Sequence, residues 1–346
     1  MSRGAFTLVL RAAAVMALAS AAPVLSCTVT PTLPDALGTY SPAAIKAGAV
    51  PGVQSRAGIA CPTAVLSVLS NNYLRARFSS ANRLMLVQDG GSATVAYKAS
   101  ADKAGSIQFS NNATIDYMQN NLLNLLGLLG GSSADLPLFI APSSTVSPPP
   151  GTYRDTITID WSWYQCPSVG LLGGCLTTAV EGTGRTTISV TLIVAAQSLV
   201  VTMSTAVTWD PASGTTNPKT IPGSLVRSYA TVTNPDIVAL VGTNLAVIVP
   251  TPRQAMISTS GDGTGSGAVI RLSDGNPASG VALTYAGPAD RGDDVDFSAN
   301  DGVSWDYVPV PGNAASEGAV THVRLRPRGT MAQQSSFSVS IPYQVR

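Results

Sequence analysis

Three groups of residues in this 346-residue chain could do chemistry: four cysteines, a single histidine and a cluster of aspartates. The cysteines are Cys27, Cys61, Cys166 and Cys175. An even number in an exported chain indicates disulfides, and four cysteines allow three pairings. The Cys166–Cys175 loop is the shortest and the easiest to close, which leaves Cys27 with Cys61. A zinc site is the competing interpretation, but the cysteine pairs lack zinc-ligand spacing and His322 is distant in sequence.

The histidine gives little support to catalysis. Acyl transfer normally needs a base beside the nucleophile, most often histidine. His322 lies in "AVTHVRLRPRG", on the same predicted strand face as Val320 and Arg324. The chain has no G-x-S-x-G, phosphate-loop or dinucleotide motif. We therefore expect no catalytic residue, no cofactor and no enzymatic activity.

The aspartates are concentrated in the C-terminal half of the chain. Glycosidase chemistry would need two of them at a fixed separation, and the sequence selects no such pair. We expect them to be solvated loop charges. A calcium site is the alternative, because Asp and Asn oxygens on a turn suit a hard cation, although their spacing does not match an EF-hand. The residues concerned are Asp262, Asp274, Asp290, Asp293, Asp294, Asp296 and Asp301.

The bulk composition and the N-terminus indicate export. Charged residues make up only 11% of the chain, and the net charge is +1 with no basic block. We therefore do not expect the protein to bind nucleic acid. Arg3 and Arg11 precede an apolar run, residues 12–25, that is too short to span a bilayer. We interpret residues 1–26 as a signal peptide, with cleavage after Ala21 or Ser26. The residues "VLSC" faintly resemble a lipoprotein box, which would make Cys27 a lipid acceptor instead.

The elements that position these residues are predicted to be strands. In "PPPGTYRDTITIDWSWYQC", Ile157, Ile159, Trp161 and Trp163 alternate with polar residues, as in a half-buried strand. Similar short strands separated by turn residues continue to about residue 194, and a second series without cysteines follows. The sequence predicts an all-β protein with two Ig-like antiparallel β-sandwich domains in tandem after the signal peptide. The expected domains are residues 27–197 and 198–346.

Three stretches between the strands of the first domain are unusually apolar: "AVLSVLSNN" (64–72), "LLNLLGLLGG" (122–131) and "SVGLLGGC" (168–175). The second follows "DYMQNN", where one or two helical turns are possible before Gly127. Either each stretch folds over an end of the sandwich and joins the core, or the three protrude together as an apolar binding patch. The candidate surface-binding residues are Val68, Leu69, Leu122, Leu123, Leu125, Leu126, Leu128, Leu129, Val169, Leu171 and Leu172.

Residues 27–194 resemble the spore coat protein U family, which includes subunits of archaic chaperone–usher pili. The resemblance rests on "SCTVTPTLPDALGTYSP", "AGIACP", "LLNLLGLLGG", "LPLFIAP", "PPPGTYRDTITIDWSWYQC", "VGLLGGC" and "GTGRTTISVTLIV", in that order. It implies export through the periplasm to the cell surface, two disulfides, and an incomplete Ig-like sandwich that a neighbouring subunit completes with a donor strand. The part after residue 197 is instead similar to an uncharacterised Ig-like domain of bacterial surface proteins.

The resemblance also implies partners and a role. Similar tip subunits present hydrophobic finger loops that hold abiotic surfaces, and little would precede Cys27 after cleavage, as expected of a tip. The expected partners are a periplasmic chaperone, an outer-membrane usher, neighbouring pilus subunits and hydrophobic surfaces. The alternating C-terminal strand "SSFSVSIPYQVR" favours a second domain that is itself incomplete. The alternative is a non-adhesive periplasmic or coat module, structural or ligand-binding, with a possible calcium-stabilised second domain.

Overall fold

The computed structural model describes residues 26–61, 72–118, 134–166, 175, 178–241, 245–262 and 269–346, without the side chains of 134 and 135. The predicted signal peptide and the predicted helical turns before Gly127 lie outside these ranges. The described chain is almost entirely β. Its N-terminal half contains β1 Thr28–Val29, β2 Asp35–Tyr40, β3 Val53–Cys61, β4 Tyr73–Ser80, β5 Met85–Gln88, β6 Thr94–Ser100, β7 Thr114–Asp116, β8 Ala134–Pro142, β9 Gly151–Gln165 and β10 Val180–Val194.

These ten strands form two layers of an Ig-like sandwich. One layer has the order β1-β3-β8-β6, and the other joins β5, β9, β10 and β2, with β4 pairing to both β9 and β7. Strand β6 links the layers, because its first half pairs with β5 and its second half pairs with β8. The long β9–β10 ladder, from Val180↔Gln165 to Val194↔Gly151, runs the length of the sandwich.

The alternation predicted for β9 is confirmed. Ile157, Ile159, Trp161 and Trp163 are all buried, at 6% exposure or less, and they pack in one hydrophobic cluster with residues of the opposite layer such as Leu138. Intervening residues of β9 face outward. Period-2 patterning therefore placed the core face of this strand correctly.

The last strand of the first sandwich has partners on both sides. Strand β10 pairs with β9 along its whole length and, at its end, with β2 in parallel, from Val190↔Asp35 to Val194↔Tyr40. The family resemblance implied an edge open to a donor strand from another subunit. In the described residues, β2 occupies that edge at the end of β10, so the chain supplies this partner itself.

The C-terminal half is built around a five-stranded sheet and two three-stranded sheets. The large sheet has the order β11-β12-β21-β15, with β16 also pairing to β21; the smaller ones are β13-β20-β17 and β14-β19-β18. The strands are β11 Val200–Trp209, β12 Leu225–Thr233, β13 Leu240–Val241, β14 Val247–Pro250, β15 Ala255–Ile257, β16 Arg271–Asp274, β17 Val281–Ala282, β18 Val295–Ser298, β19 His322–Leu325, β20 Arg328–Met331 and β21 Ser336–Val345.

The C-terminal strand β21 is an interior strand of its sheet. It pairs with β12 from Ser336 to Gln344, and with β16 and β15 on its other side. Its apolar residues Phe337, Val339, Ile341 and Tyr343 are buried in a second hydrophobic cluster. Within the described strands, β21 therefore has partners on both sides and does not itself border an open groove.

The uncovered strand of this sheet is β11. Val201 and Met203 stand opposite Val232 and Ala230, which are buried in the second hydrophobic cluster, so all four share the core face. Yet Val201 is 54% exposed and Met203 is 53% exposed. Strand β11 thus carries core-type side chains over which none of the described residues forms a covering layer.

Two short helices complete the described fold: α1 Pro42–Lys46, capped by Ser41, and α2 Ala314–Gly318, capped by Asn313. In both, the capping side chain accepts a hydrogen bond from a backbone N–H of the first turn. Within the described ranges, no helix has the length and apolar character needed to cross a membrane.

Candidate functional site at one end of the first sandwich

Five strand ends meet at one end of the first sandwich, which we call the loop end. In one layer the end of β3 lies beside the start of β8, with Cys61 opposite Ala134. In the other layer Tyr73 pairs with Tyr164, and Val180 pairs with Gln165, so β4 and β10 start where β9 finishes. The loop end is thus defined by the register of these three strand pairs.

All three apolar stretches are attached to the loop end. Residues 62–71 join β3 to β4, residues 119–133 precede β8, and residues 167–174 follow β9 on the way to β10. The segment before β8 begins just after Met118, which is near β4 because the Tyr117 N–H donates to the Leu74 carbonyl at 2.8 Å. None of the three segments contains a charged residue. The eleven predicted surface-binding residues fall within them and so lie outside the described residues, while their points of attachment converge.

The loop end is cross-linked by both disulfides. Cys27 is bonded to Cys61, and Cys166 is bonded to Cys175, which confirms the predicted pairing. The second bond joins the two roots of segment 167–174. Between the layers, the buried Gln165 side chain donates from Nε2 to Sγ of Cys27 at 2.9 Å.

Two polar side chains, Asn72 and Asp116, anchor the roots of the segments further. Asn72, at the end of segment 62–71, accepts a hydrogen bond from the Cys166 N–H at 2.8 Å. Asp116 accepts from the backbone N–H groups of Leu74, at 3.3 Å, and Met118, at 3.1 Å, and it pairs with Arg75 at 3.1 Å. The sequence reasoning did not select Asn72, Asp116 or Gln165, since a polar residue at a strand end gives no signal of its bonding partner.

Aromatic side chains stiffen the body beneath the loop end. Trp161 and Tyr117 are buried and their ring centroids are 5.9 Å apart, while Tyr73 and Tyr164 stack at 6.0 Å on the outer face. The Arg75 guanidinium lies 4.2 Å from the Tyr73 ring centroid. Burial raises the pKa of the Tyr117 hydroxyl, so it stays neutral. The segments are therefore rooted on a core that is packed with aromatic rings.

The expectation of solvated aspartates holds for Asp274, Asp290 and Asp301, which are exposed, but not for Asp262, Asp293 and Asp294, which are buried. Asp293 and Asp294 are at least 95% buried, and Asp296 lies in strand β18. Arginines from the neighbouring strands meet these acids: Asp296 lies 2.8 Å from Arg324, and Asp294 pairs with Arg328. For the buried acids the expectation fails because the arginines are about thirty residues away in sequence and only the tertiary structure brings them close.

The calcium alternative finds no site in the described residues. No group of three or more His, Cys, Asp or Glu side chains there has the geometry to hold a metal ion. His322 begins strand β19, opposite Pro250 and Ser298, as a strand residue of the second half. The described acids are mostly committed to arginines and backbone N–H groups.

A family model for the Spore Coat Protein U domain matches residues 13–160. The N-terminal part of the chain is therefore similar to Spore Coat Protein U domains. The match includes β1 to β8 and the first two apolar segments, and it ends inside β9. None of the curated proteins matches the chain significantly.

Two solved structures show weak likeness to the whole chain. The chaperone–tip adhesion subunit pre-assembly complex from archaic chaperone–usher Csu pili of Acinetobacter baumannii is 13% identical, covering 93% of this chain and 98% of that chain, with a TM-score of 0.38. A putative membrane-anchored protein from Corynebacterium diphtheriae is 9% identical, covering 92% and 82%, with a TM-score of 0.21. At TM-scores below 0.5, neither likeness defines the arrangement or the role of this chain.

Proposed function

We propose that this protein is an exported adhesin that binds hydrophobic surfaces through the three apolar segments of the loop end. One observation carries the proposal: three uncharged, leucine-rich segments from separate parts of the chain are rooted together at one end of one sandwich. Exposed loops are normally polar, and a contiguous apolar patch of several hundred Å² marks an interaction site.

The described roots support a rigid presentation of these segments. The Cys166–Cys175 bond closes one segment at its base, and Asn72 and Asp116 hold the roots of the other two. A patch that is already ordered loses little conformational entropy when it binds. Burying about 300 Å² of apolar surface, at roughly 25 cal/mol per Å², contributes about 7 kcal/mol before the costs of association.

The same proposal includes a place in an archaic chaperone–usher pilus, as a tip-type subunit. The Spore Coat Protein U domain supports it, because the family includes subunits of such pili. The end of β10, the last strand of the first sandwich, pairs with the chain's own β2, which suits a domain with no subunit beyond it. The uncovered core face of β11 is where the second half would receive a strand from the next subunit. A periplasmic chaperone and an outer-membrane usher would handle the subunit before assembly.

The adhesive role is tested by placing one charge in each segment. The triple variant Leu69→Asp, Leu126→Asp and Leu172→Asp is expected to lose attachment to polystyrene, measured as protein retained after washing. Its melting temperature should stay within a few degrees of the wild type, because a charge on an exposed loop is well solvated.

A matched control places the same three charges on exposed apolar residues outside the apolar segments. Leu33, Val146 and Val303 are 82%, 69% and 83% exposed, so the triple Asp variant at these positions should fold and attach like the wild type. If the segments belong to the core, the first variant loses several kcal/mol and unfolds, which refutes the proposal. Equal loss of attachment in both variants also refutes it.

A further inference from the structure

A groove of about 600 Å³ lies on the outer face of the layer β1-β3-β8-β6. Gln54, Phe139 and Ser100 stand side by side across three neighbouring strands at its floor. Phe139 is a half-buried aromatic ring on a sheet face that elsewhere points polar side chains outward, such as Gln54 and Lys98. The volume falls in the range of small-ligand sites.

One wall of the groove is the turn that follows β6, residues 101–108. Buried Asp102 holds this turn: its carboxylate accepts from the Ser106 hydroxyl at 2.5 Å and from the Ile107 N–H at 2.7 Å. Burial acts to raise the pKa of Asp102, but these hydrogen bonds outweigh it and lower the pKa. The Gln108 side chain donates to the Gly105 carbonyl at 3.0 Å. These bonds fix the wall, and the Asp102 carboxylate faces the turn rather than the groove.

The charge of the groove is distinctive. The whole chain has only four lysines, and two of them, Lys98 and Lys103, line this groove. Both are exposed, and no carboxylate is among the lining residues. Across the described residues, neither lysine forms a salt bridge. Elsewhere on the first sandwich, exposed arginines such as Arg154 and Arg185 are each paired with an aspartate. The two ammonium groups of the groove are thus free for an external anion.

We propose that this groove binds an acidic sugar residue, a carboxylate-bearing hexose of an anionic polysaccharide. The two lysines would neutralise the carboxylate, since an ammonium donates strong charge-assisted hydrogen bonds to it. The Phe139 ring offers a flat apolar surface for the C–H face of a sugar ring, and the amides of Gln54 and Gln108 can bond sugar hydroxyls. A simple anion would use the lysines but would have no need of the ring or the amides.

This site is separate from the loop end. The groove is formed by the start of β3 and the end of β8, whereas the loop end is formed by the end of β3 and the start of β8. The two surfaces are therefore at opposite ends of the same strand pair. Loss of one function leaves the other measurable, so the sugar proposal stands or falls independently of the adhesin proposal.

The test is isothermal titration calorimetry at low salt, in which the trimer of galacturonic acid is titrated into the full mature chain. We expect the double variant Lys98→Glu/Lys103→Glu to bind at least tenfold more weakly than the wild type. The matched control is Lys46→Glu/Lys219→Glu, which makes the same charge change at the only other lysines of the chain and should bind like the wild type. Phe139→Ala, which leaves the charge unchanged, should weaken binding about fivefold.

Two further probes separate the sugar from a bare anion. The fully methyl-esterified trimer keeps the sugar rings but lacks the charge, and it should bind at least tenfold more weakly than the acid. Inorganic phosphate supplies charge alone and should not compete with the trimer at equal concentration. The proposal is overturned if phosphate competes equally, if the ester binds as well as the acid, or if the groove and control variants bind alike. A circular dichroism melt of each variant shows that a lost signal is not unfolding.

Discussion

A buried ion pair in the second half of the chain offers a quantitative test of the structure. Arg227 of β12 and Asp262 are 5% and 3% exposed at the side chain, and Nε lies 2.5 Å from the carboxylate. The guanidinium also donates to the Val269 carbonyl at 3.1 Å and to the Ser340 hydroxyl at 2.9 Å. These bonds tie Asp262 and Val269 to the outer face of the large sheet.

Removing one partner should be much more harmful than removing both. Arg227→Met leaves the Asp262 carboxylate buried without its cation, and breaking a buried pair in this way costs about 3–5 kcal/mol. For a unit of roughly 150 residues this corresponds to a fall in melting temperature of roughly 10 °C. The double variant Arg227→Met/Asp262→Leu leaves no unpaired charge, so it should recover at least about 2 kcal/mol of that loss.

The measurement is equilibrium unfolding in urea for the wild type, both single variants and the double variant, as a double-mutant cycle. Arg185→Met is the matched control: Arg185 and Asp160 form a solvent-screened surface pair at 69% and 39% exposure, so its loss should destabilise the fold far less than Arg227→Met does. The reasoning fails if Arg227→Met is as mild as Arg185→Met. It also fails if the double variant is no more stable than Arg227→Met.

Two other predictions concern the second half. Hydrogen bonds from the side chain and backbone of Ser213, and then from the Lys219 N–H, lower the Asp210 pKa from 3.8 to about 2. The ionised carboxylate of Asp210 therefore stabilises the fold above about pH 4, and this contribution disappears as the pH falls through 2. The melting temperature of Asp210→Asn should therefore lie below that of the wild type at pH 6 and converge with it toward pH 2; a constant gap contradicts this. On β11, Val201→Asp/Met203→Asp should lower the free energy of unfolding in urea by less than about 1 kcal/mol, because both side chains are exposed. Val232→Asp, on the covered strand opposite, should lower it by several kcal/mol. Equal losses would show that β11 is covered.

Much of this protein was determined by local sequence pattern. The alternation of Ile157, Ile159, Trp161 and Trp163 places these residues in the core because successive side chains of a strand point to opposite faces. The disulfide pairing followed from loop length, since Cys166 and Cys175 are nine residues apart. The three apolar stretches stood out between strands because their composition is wrong for ordinary loops.

Tertiary structure decided everything that depends on which strands are neighbours. Strand pairing and packing root the three apolar segments at one end, place Lys98 and Lys103 in one groove with Phe139, and set Arg328 against Asp294. The sequence suggested solvated acids, which is correct for Asp274 but not for the buried Asp293 and Asp294, and it indicated no neighbour for the C-terminal strand β21. Strand pairing joins residues far apart in the chain, and period-2 patterning tells which face of a strand is buried but not which strand lies next to it.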